Sequence, residues 1–501
     1  MAELLRPGAT QERADEARTS FLVGAITASG MVKSTLGPRG MLKLLYSQRG
    51  EPIITNDGAT VLKNIVPSGA SSKILINSAK EHGEKEGDGT TTLTVLTGEL
   101  LHEADKLIFK GAHPYKIITD YRKAHKEALR LLRTVSRECS DEEEMLSLSR
   151  TTLSSKFSPI ELSSLSALSL AVSRRAESIE MVNIIKVPGG EVSDSYLHEG
   201  LLLECEIGPG QKDSCSSPRV LIINTSMDAD KVKIFSTKAS VSSPKELERI
   251  EAAENRRMAE KVESIAQHAD IIVNRQIIYD YPTQEFTKRG KISIERADFS
   301  GVEMLAKALG GRILSTFDAV QEEDVGTCGL FRRVKIQGRN FCEFSGNIRP
   351  GACSVVIRGP SREIREECER SLVGAVKVLM GASKRAVCGG GSAEAAVAHM
   401  MHPKTEGERA YTRALLEITR TLAANAGLPA DETLDEILRR NSEGVHTFGV
   451  SVEEAACMEK LGVRESLRLK EIVWSRAAET AEMLLRCDSN IKCRPRERVH
   501  E

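Results

Sequence analysis

The sequence predicts a multi-domain chain in which two mostly helical terminal parts enclose an α/β middle. Three observations lead there. The chain has 501 residues, room for roughly three domains at about 150 residues each. Apolar residues recur at helical spacing up to about residue 180 and again from about residue 359. Between these stretches, short runs of Val, Ile and Leu alternate with helical segments.

The first helical pattern spans residues 10–36, with Phe21, Leu22, Ala25, Ile26, Met31 and Val32 on one face. It stops at Thr35-Leu36-Gly37-Pro38-Arg39-Gly40, where glycine and proline forbid continuation. Leu44-Leu45-Tyr46 and Ile53-Ile54-Thr55 read as two short strands. Asn56-Asp57-Gly58-Ala59-Thr60 is then a turn into a helix. A further turn, Gly87-Asp88-Gly89-Thr90-Thr91, opens a long amphipathic helix carrying Leu93, Leu96, Leu100, Ala104 and Leu107. In the middle, Val220–Ile223, Ile271–Val273, Ile292–Ile294 and Val355–Ile357 read as strands. Ser243-Pro244-Lys245-Glu246 has the form of a capping box with proline at the first helical position. The helix it starts carries only a thin apolar stripe, Leu247, Ile250, Met258, Val262 and Ile265, and is expected to project from the body. A triple glycine, Gly389-Gly390-Gly391, interrupts the last helical part.

Composition excludes several functions. The formal net charge is −1 and aromatics are 4%, so neither a global pull toward nucleic acid or anionic membrane nor a base-stacking surface is expected. No apolar run reaches the roughly 18 residues of a membrane span. The N-terminus lacks the form of a secretory signal. The 11 scattered cysteines read as reduced thiols, as expected for a cytoplasmic protein.

The sharpest chemical signal is the turn from Gly87 to Thr91. Glycines let backbone N–H groups approach an anion, and the following helix N-terminus adds donors and a positive dipole end. The threonine hydroxyls can donate to phosphate oxygens, and Asp88 can hold a Mg²⁺ that bridges them. Alone, the same residues make an ordinary turn with a threonine cap. Likewise Thr35–Gly40 alone is a helix end, Asp57 a turn residue, and the triple glycine either a phosphate or ribose site or a close packing point. None of these is a Walker A motif or a dinucleotide fingerprint.

Taken in order, the four turns resemble the signature set of the group II chaperonins, and Thr151-Thr152-Leu153-Ser154-Ser155-Lys156 fits as well. The likeness runs from about residue 4 to residue 495. Leu4-Leu5-Arg6-Pro7-Gly8-Ala9-Thr10-Gln11-Glu12-Arg13-Ala14-Asp15 and Ser195-Tyr196-Leu197-His198-Glu199-Gly200 resemble the beta-subunit branch of that family.

The resemblance implies a nested chaperonin fold. A mostly α-helical equatorial domain would be formed by 1–138 and 387–501, a small intermediate domain by 139–202 and 353–386, and an α/β apical domain by 203–352. It implies paralogous subunits in two stacked eight-membered rings, ATP or ADP with Mg²⁺ as cofactors, and non-native clients such as actin and tubulin in the cytoplasm. Carried over by position, Leu36, Gly37, Pro38, Gly58, Gly89, Thr90, Thr91 and Thr92 would surround the phosphates, and Asp88 would bind the metal. Ser155 and Lys156 would meet the γ-phosphate, Gly390 and Gly391 the ribose, and Glu465 and Lys470 the base. Asp57 would face the attacking water. A client-facing helix would run from about Phe299 to Leu309, offering Val302, Met304, Leu305, Ala308 and Leu309.

Two positions depart from the family pattern. Gly374 stands where a water-activating aspartate is usual, and Cys457 where another aspartate precedes a methionine. Loss of a positioned base typically costs about 10²–10⁴ in rate, so a subunit that binds nucleotide and barely hydrolyses it is the second reading. Helix propensity alone would admit an aspartate at position 374. A small-molecule kinase is a third class, but the phosphate-clamping basic residues it needs are not found in the sequence.

Overall fold

The computed structural model describes residues 10–46, 52–65, 69–139, 141–227, 243–316, 320–346, 349, 351–382 and 384–492. The beta-branch segment at positions 4–9 lies outside them. The chain divides into two compact units, residues 1–170 with 370–501, and residues 171–369.

The unit built from both chain ends is helical. At its centre is Thr90–Phe109, with Leu93, Val95, Leu96, Leu100, Leu101 and Ala104 all buried. Burial on nearly every side marks this as a core helix rather than a half-exposed one. Around it pack Ala14–Lys33, Glu406–Ala426 and Leu467–Leu485, whose apolar faces form one continuous core ending on the fully buried Trp474 and Tyr411. The first helix is shorter than its pattern. Thr10–Arg13 is a strand paired antiparallel with Ser489–Lys492, a partner almost the whole chain away that local periodicity cannot reveal. The two predicted strands form an antiparallel pair, Lys43–Leu45 with Ile53–Thr55.

The central unit is α/β. Arg219–Ile223, Ile271–Asn274 and Ile292–Glu295 are parallel neighbours, with Ile313–Leu314 parallel on the other side of the first. Their near-continuous apolar runs suit a sheet buried on both faces. Leu330–Ile336 and Arg339–Ser345 form a hairpin within a separate antiparallel sheet. Their charged residues hid them in the sequence: Arg332, Arg333 and Lys335 interrupt the apolar run, and Phe331 is the one fully buried residue of the first strand. Val182–Pro188 pairs parallel with Cys353–Gly359.

The helix Pro244–His268 starts with proline at its first turn, but Ser243 makes no side-chain cap, so the expected capping box is not formed as such. Its second half is anchored by buried Met258, Val262 and Ile265, while Leu247 and Ile250 in the first half are exposed. The helix Phe299–Leu309 corrects another expectation. Val302, Met304, Leu305, Ala308 and Leu309 are all buried, and most of them join the unit's own core, so they offer no free apolar area. Phe299 is exposed, under the Arg275 guanidinium.

Candidate functional site

Within the helical unit, three glycine turns meet around a cavity of about 330 Å³, within the size range of small-molecule sites. The first turn is made possible by backbone geometry. Gly87 ends the helix Ala70–Glu86 at φ 82°, and Gly89 caps Thr90–Phe109 at φ 81°. Both lie in the left-handed region that favours glycine. The chain therefore reverses around Asp88 and starts a long helix at once, with its first N–H groups and dipole end beside the cavity.

Asp88 is held from two sides. The Gly89 N–H donates to Asp88 Oδ1 at 2.7 Å. His82 Nε2 lies 2.9 Å from the Asp88 carbonyl; burial and the nearby Arg476 hold that imidazole neutral, with its pKa lowered to about 4, so Nε2–H is the donor. Burial pushes the Asp88 carboxyl above the usual carboxylate range, against the Gly89 hydrogen bond, the Lys156 charge and a hydrogen bond from Thr152, and with the Asp57 charge adding to the rise. A half-buried carboxylate raised in this way gains from a cation beside it. Among the described residues no cluster of three or more His, Cys, Asp or Glu side chains comes together. Asp88 thus suits a Mg²⁺ that arrives with phosphate oxygens of its own.

The remaining predicted residues fall into two sets. Leu36, Gly37, Pro38, Asp88, Gly89, Thr92, Ser155, Gly390, Gly391, Glu465 and Lys470 line the cavity. Asp57, Gly58, Thr90, Thr91 and Lys156 lie around it. Gly58 packs directly on Thr91: a methyl group there would sit 2.6 Å from Thr91 Oγ1. Asp57 and Lys156 are near enough to shift the Asp88 carboxyl in opposite directions. Asp57 also caps the helix Gly58–Asn64, its Oδ2 accepting from Thr60 N at 2.8 Å and Thr60 Oγ1 at 2.7 Å. Asn56 Nδ2 donates to the Ser155 carbonyl at 2.9 Å, tying the two turns together. Thr90 is buried, with its carbonyl accepting from Thr94 Oγ1 at 2.8 Å.

On the far wall, Gly390 and Gly391 have φ of 63° and 75° and open the helix Ser392–Met400. Gly390 lies against Met458 and the Val450 carbonyl. Cys457, next to Met458, ends the strand Ala455–Cys457, its Sγ 3.3 Å from Thr447 Oγ1. Gly374, on Arg362–Gly381, faces the first turn: a methyl group on it would lie 2.7 Å from the Gly87 carbonyl oxygen.

A profile of the TCP-1/cpn60 chaperonin family matches residues 29–495. The chain belongs to that family. It is 40% identical to T-complex protein 1 subunit beta of Bos taurus over 519 residues, covering 99% of this chain and 97% of that protein. The corresponding subunits of Encephalitozoon cuniculi and Saccharomyces cerevisiae are each 40% identical, over 99% and 97% of this chain and 98% and 97% of their own lengths. For a TCP-1/cpn60 chain, the sequence reading missed several residues at the cavity. Glu394 and Ser466 line it, and His82 supports it from within a helix. Glu394 is an acidic residue in a first helical turn, where such residues are ordinary, and His82 sits in a regular helical pattern with no local signal. Ser466 stands at the N-cap position of a helix without making a side-chain cap bond, and serine there is commonplace.

Proposed function

We propose that this chain is a subunit of a hetero-oligomeric cytoplasmic chaperonin that binds Mg²⁺–ATP or Mg²⁺–ADP in the cavity of its helical unit. The observation that carries the reading is Asp88, half-buried in a two-glycine turn at the head of a core helix and lining the same cavity as Gly390 and Gly391. Resemblance to the beta subunits supports the assembly: paralogous subunits in two stacked eight-membered rings, acting on clients such as actin and tubulin. Within the site, the N–H groups and hydroxyls of Gly89, Thr90, Thr91 and Thr92 would hold phosphate oxygens. Lys156 would add positive charge, and Asp88 would hold the metal, which neutralises the phosphates when bound.

A second reading concerns turnover in this chain alone. Gly374 replaces the family's water-activating aspartate, and its backbone lies directly on the Gly87 carbonyl. Without that carboxylate the site would hold nucleotide and hydrolyse it slowly, with Asp57 left to face the attacking water. Calorimetric titration with Mg²⁺–ADP tests the binding claim. The full chain should bind, and Asp88→Ala should lose binding in the presence of Mg²⁺. Equal affinity in both would overturn the assignment.

A further inference from the structure

The first glycine turn joins the carbonyl end of one helix to the N–H end of the next. Ala70–Glu86 stops at Gly87, and Thr90–Phe109 starts after Gly89, so two helix dipoles meet across Asp88 with opposite signs. The N–H end attracts phosphate oxygens and the carbonyl end repels them. The Gly87 N–H donates back to the Gly83 carbonyl at 3.2 Å. The Glu84 carbonyl, one residue on, is among those that a helix end leaves without a partner of its own.

That carbonyl is answered from another helix. Lys377 Nζ donates to it at 2.7 Å. Lys377 stands on Arg362–Gly381, three residues after Gly374 and so on the same face. A methyl group on Gly87 would lie 2.9 Å from Gly374 Cα and 2.9 Å from Lys377 Cβ, so both residues pack on the turn itself. Val378, the next residue, lines the cavity. Lys377 is half-buried, and burial lowers its pKa against the Glu84 charge. The ammonium's hydrogen bond goes to the backbone carbonyl, while the Glu84 carboxylate lies 3.8 Å from Lys80 Nζ. Gly374, one turn back, offers no side chain. A carboxylate there would compete for the ammonium; with glycine, Lys377 is left to the turn.

We propose that Lys377 is a positioning residue for the phosphate-binding turn: its ammonium caps the carbonyl end of Ala70–Glu86, cancels the negative dipole end that an incoming phosphate would meet, and fixes the direction in which the chain enters Asp88. This rests on the nucleotide reading above and deepens it. The lysine acts through the turn and needs no contact with the nucleotide. On this reading the helix has kept a part in holding phosphate at the place where it lacks the family's carboxylate.

The test is calorimetry on the full chain with Mg²⁺, using adenosine diphosphate, base-free tripolyphosphate and, by displacement, adenosine monophosphate, which brings the least phosphate charge to the turn. Lys377→Met keeps the stem and removes the charge. It should weaken the diphosphate and tripolyphosphate alike by about tenfold, the worth of one hydrogen bond to a charged group, and leave the monophosphate within about threefold. Lys377→Gln, a shorter and uncharged donor, should behave as Lys377→Met does. Lys377→Arg keeps the charge within reach of the carbonyl and should stay within about threefold of the wild type for every ligand. Undiminished diphosphate binding in Lys377→Met and Lys377→Gln overturns the proposal. So does an equal loss for all three ligands, the mark of a merely structural role, or a Lys377→Arg as weak as Lys377→Met. Each of these leaves the nucleotide reading standing. A wild type that binds neither the diphosphate nor tripolyphosphate defeats that reading and this inference with it.

Discussion

His82 is fully buried with its Nε2–H against the Asp88 carbonyl, and burial, aided by Arg476, lowers its pKa from 6.5 to about 4. The folded chain therefore refuses a proton that the unfolded chain accepts between those values. Stability from this source is complete above about pH 6.5 and is lost as pH falls toward about 4. Between pH 7 and pH 5 the loss is about 2 kcal/mol. His82→Gln keeps an amide donor and cannot titrate, so urea unfolding at the two pH values should show a correspondingly smaller drop; an identical drop in both proteins would contradict the account. Asp88 runs the other way. Its carboxyl is raised, mainly by burial, and only the ionised form binds a cation, so Mg²⁺ affinity should rise with pH through that raised value. Asp88 was legible in the sequence because everything that presents it, two glycines and a helix start, is within three residues. Glu394, Ser466 and His82 were not, because their meaning comes from partners that no local pattern specifies.

At the scale of elements, the contact between the helix Arg362–Gly381 and the first glycine turn reverses an expectation. In an exposed helix, Gly→Ala gains about 1 kcal/mol. Here the added methyl meets the Gly87 carbonyl oxygen at 2.7 Å, and overpacking against backbone costs about 1–3 kcal/mol. Gly374→Ala should therefore lower the melting temperature. Gly374→Asp carries the same methylene, so it should be less stable than the wild type and should not speed single-turnover hydrolysis. A stable Gly374→Asp chain with faster hydrolysis would show that the helix can stand off from the turn. The helix around Leu305 teaches a related point. Its apolar spacing was read correctly, but spacing alone does not say whether an apolar face meets a client or the chain's own core, and the core claims it. The terminal strands were hidden for a different reason: Thr10–Arg13 is polar and its partner is at the far end of the sequence.

For the whole molecule, helical ends around an α/β middle were readable from periodicity, and the joining of both ends into one unit was implied only by the family resemblance. The helical unit exposes Met41, Leu42, Leu44, Tyr46 and Ile54 on and beside its small hairpin, at 69, 59, 66, 77 and 50% exposure. So large an apolar patch on a charged-rich chain suits a subunit with neighbours. Sedimentation of the chain expressed alone should give aberrant rings or aggregates, and a stable, active monomer would contradict the assembly. The account stands most directly on what occupies the cavity. A density map of the assembled particle, prepared with Mg²⁺–ADP, would settle it. The account predicts metal at Asp88, the diphosphate along Gly89, Thr90 and Thr91, and the base toward Glu465. An empty cavity in this chain, or nucleotide held elsewhere on it, would contradict the central claim.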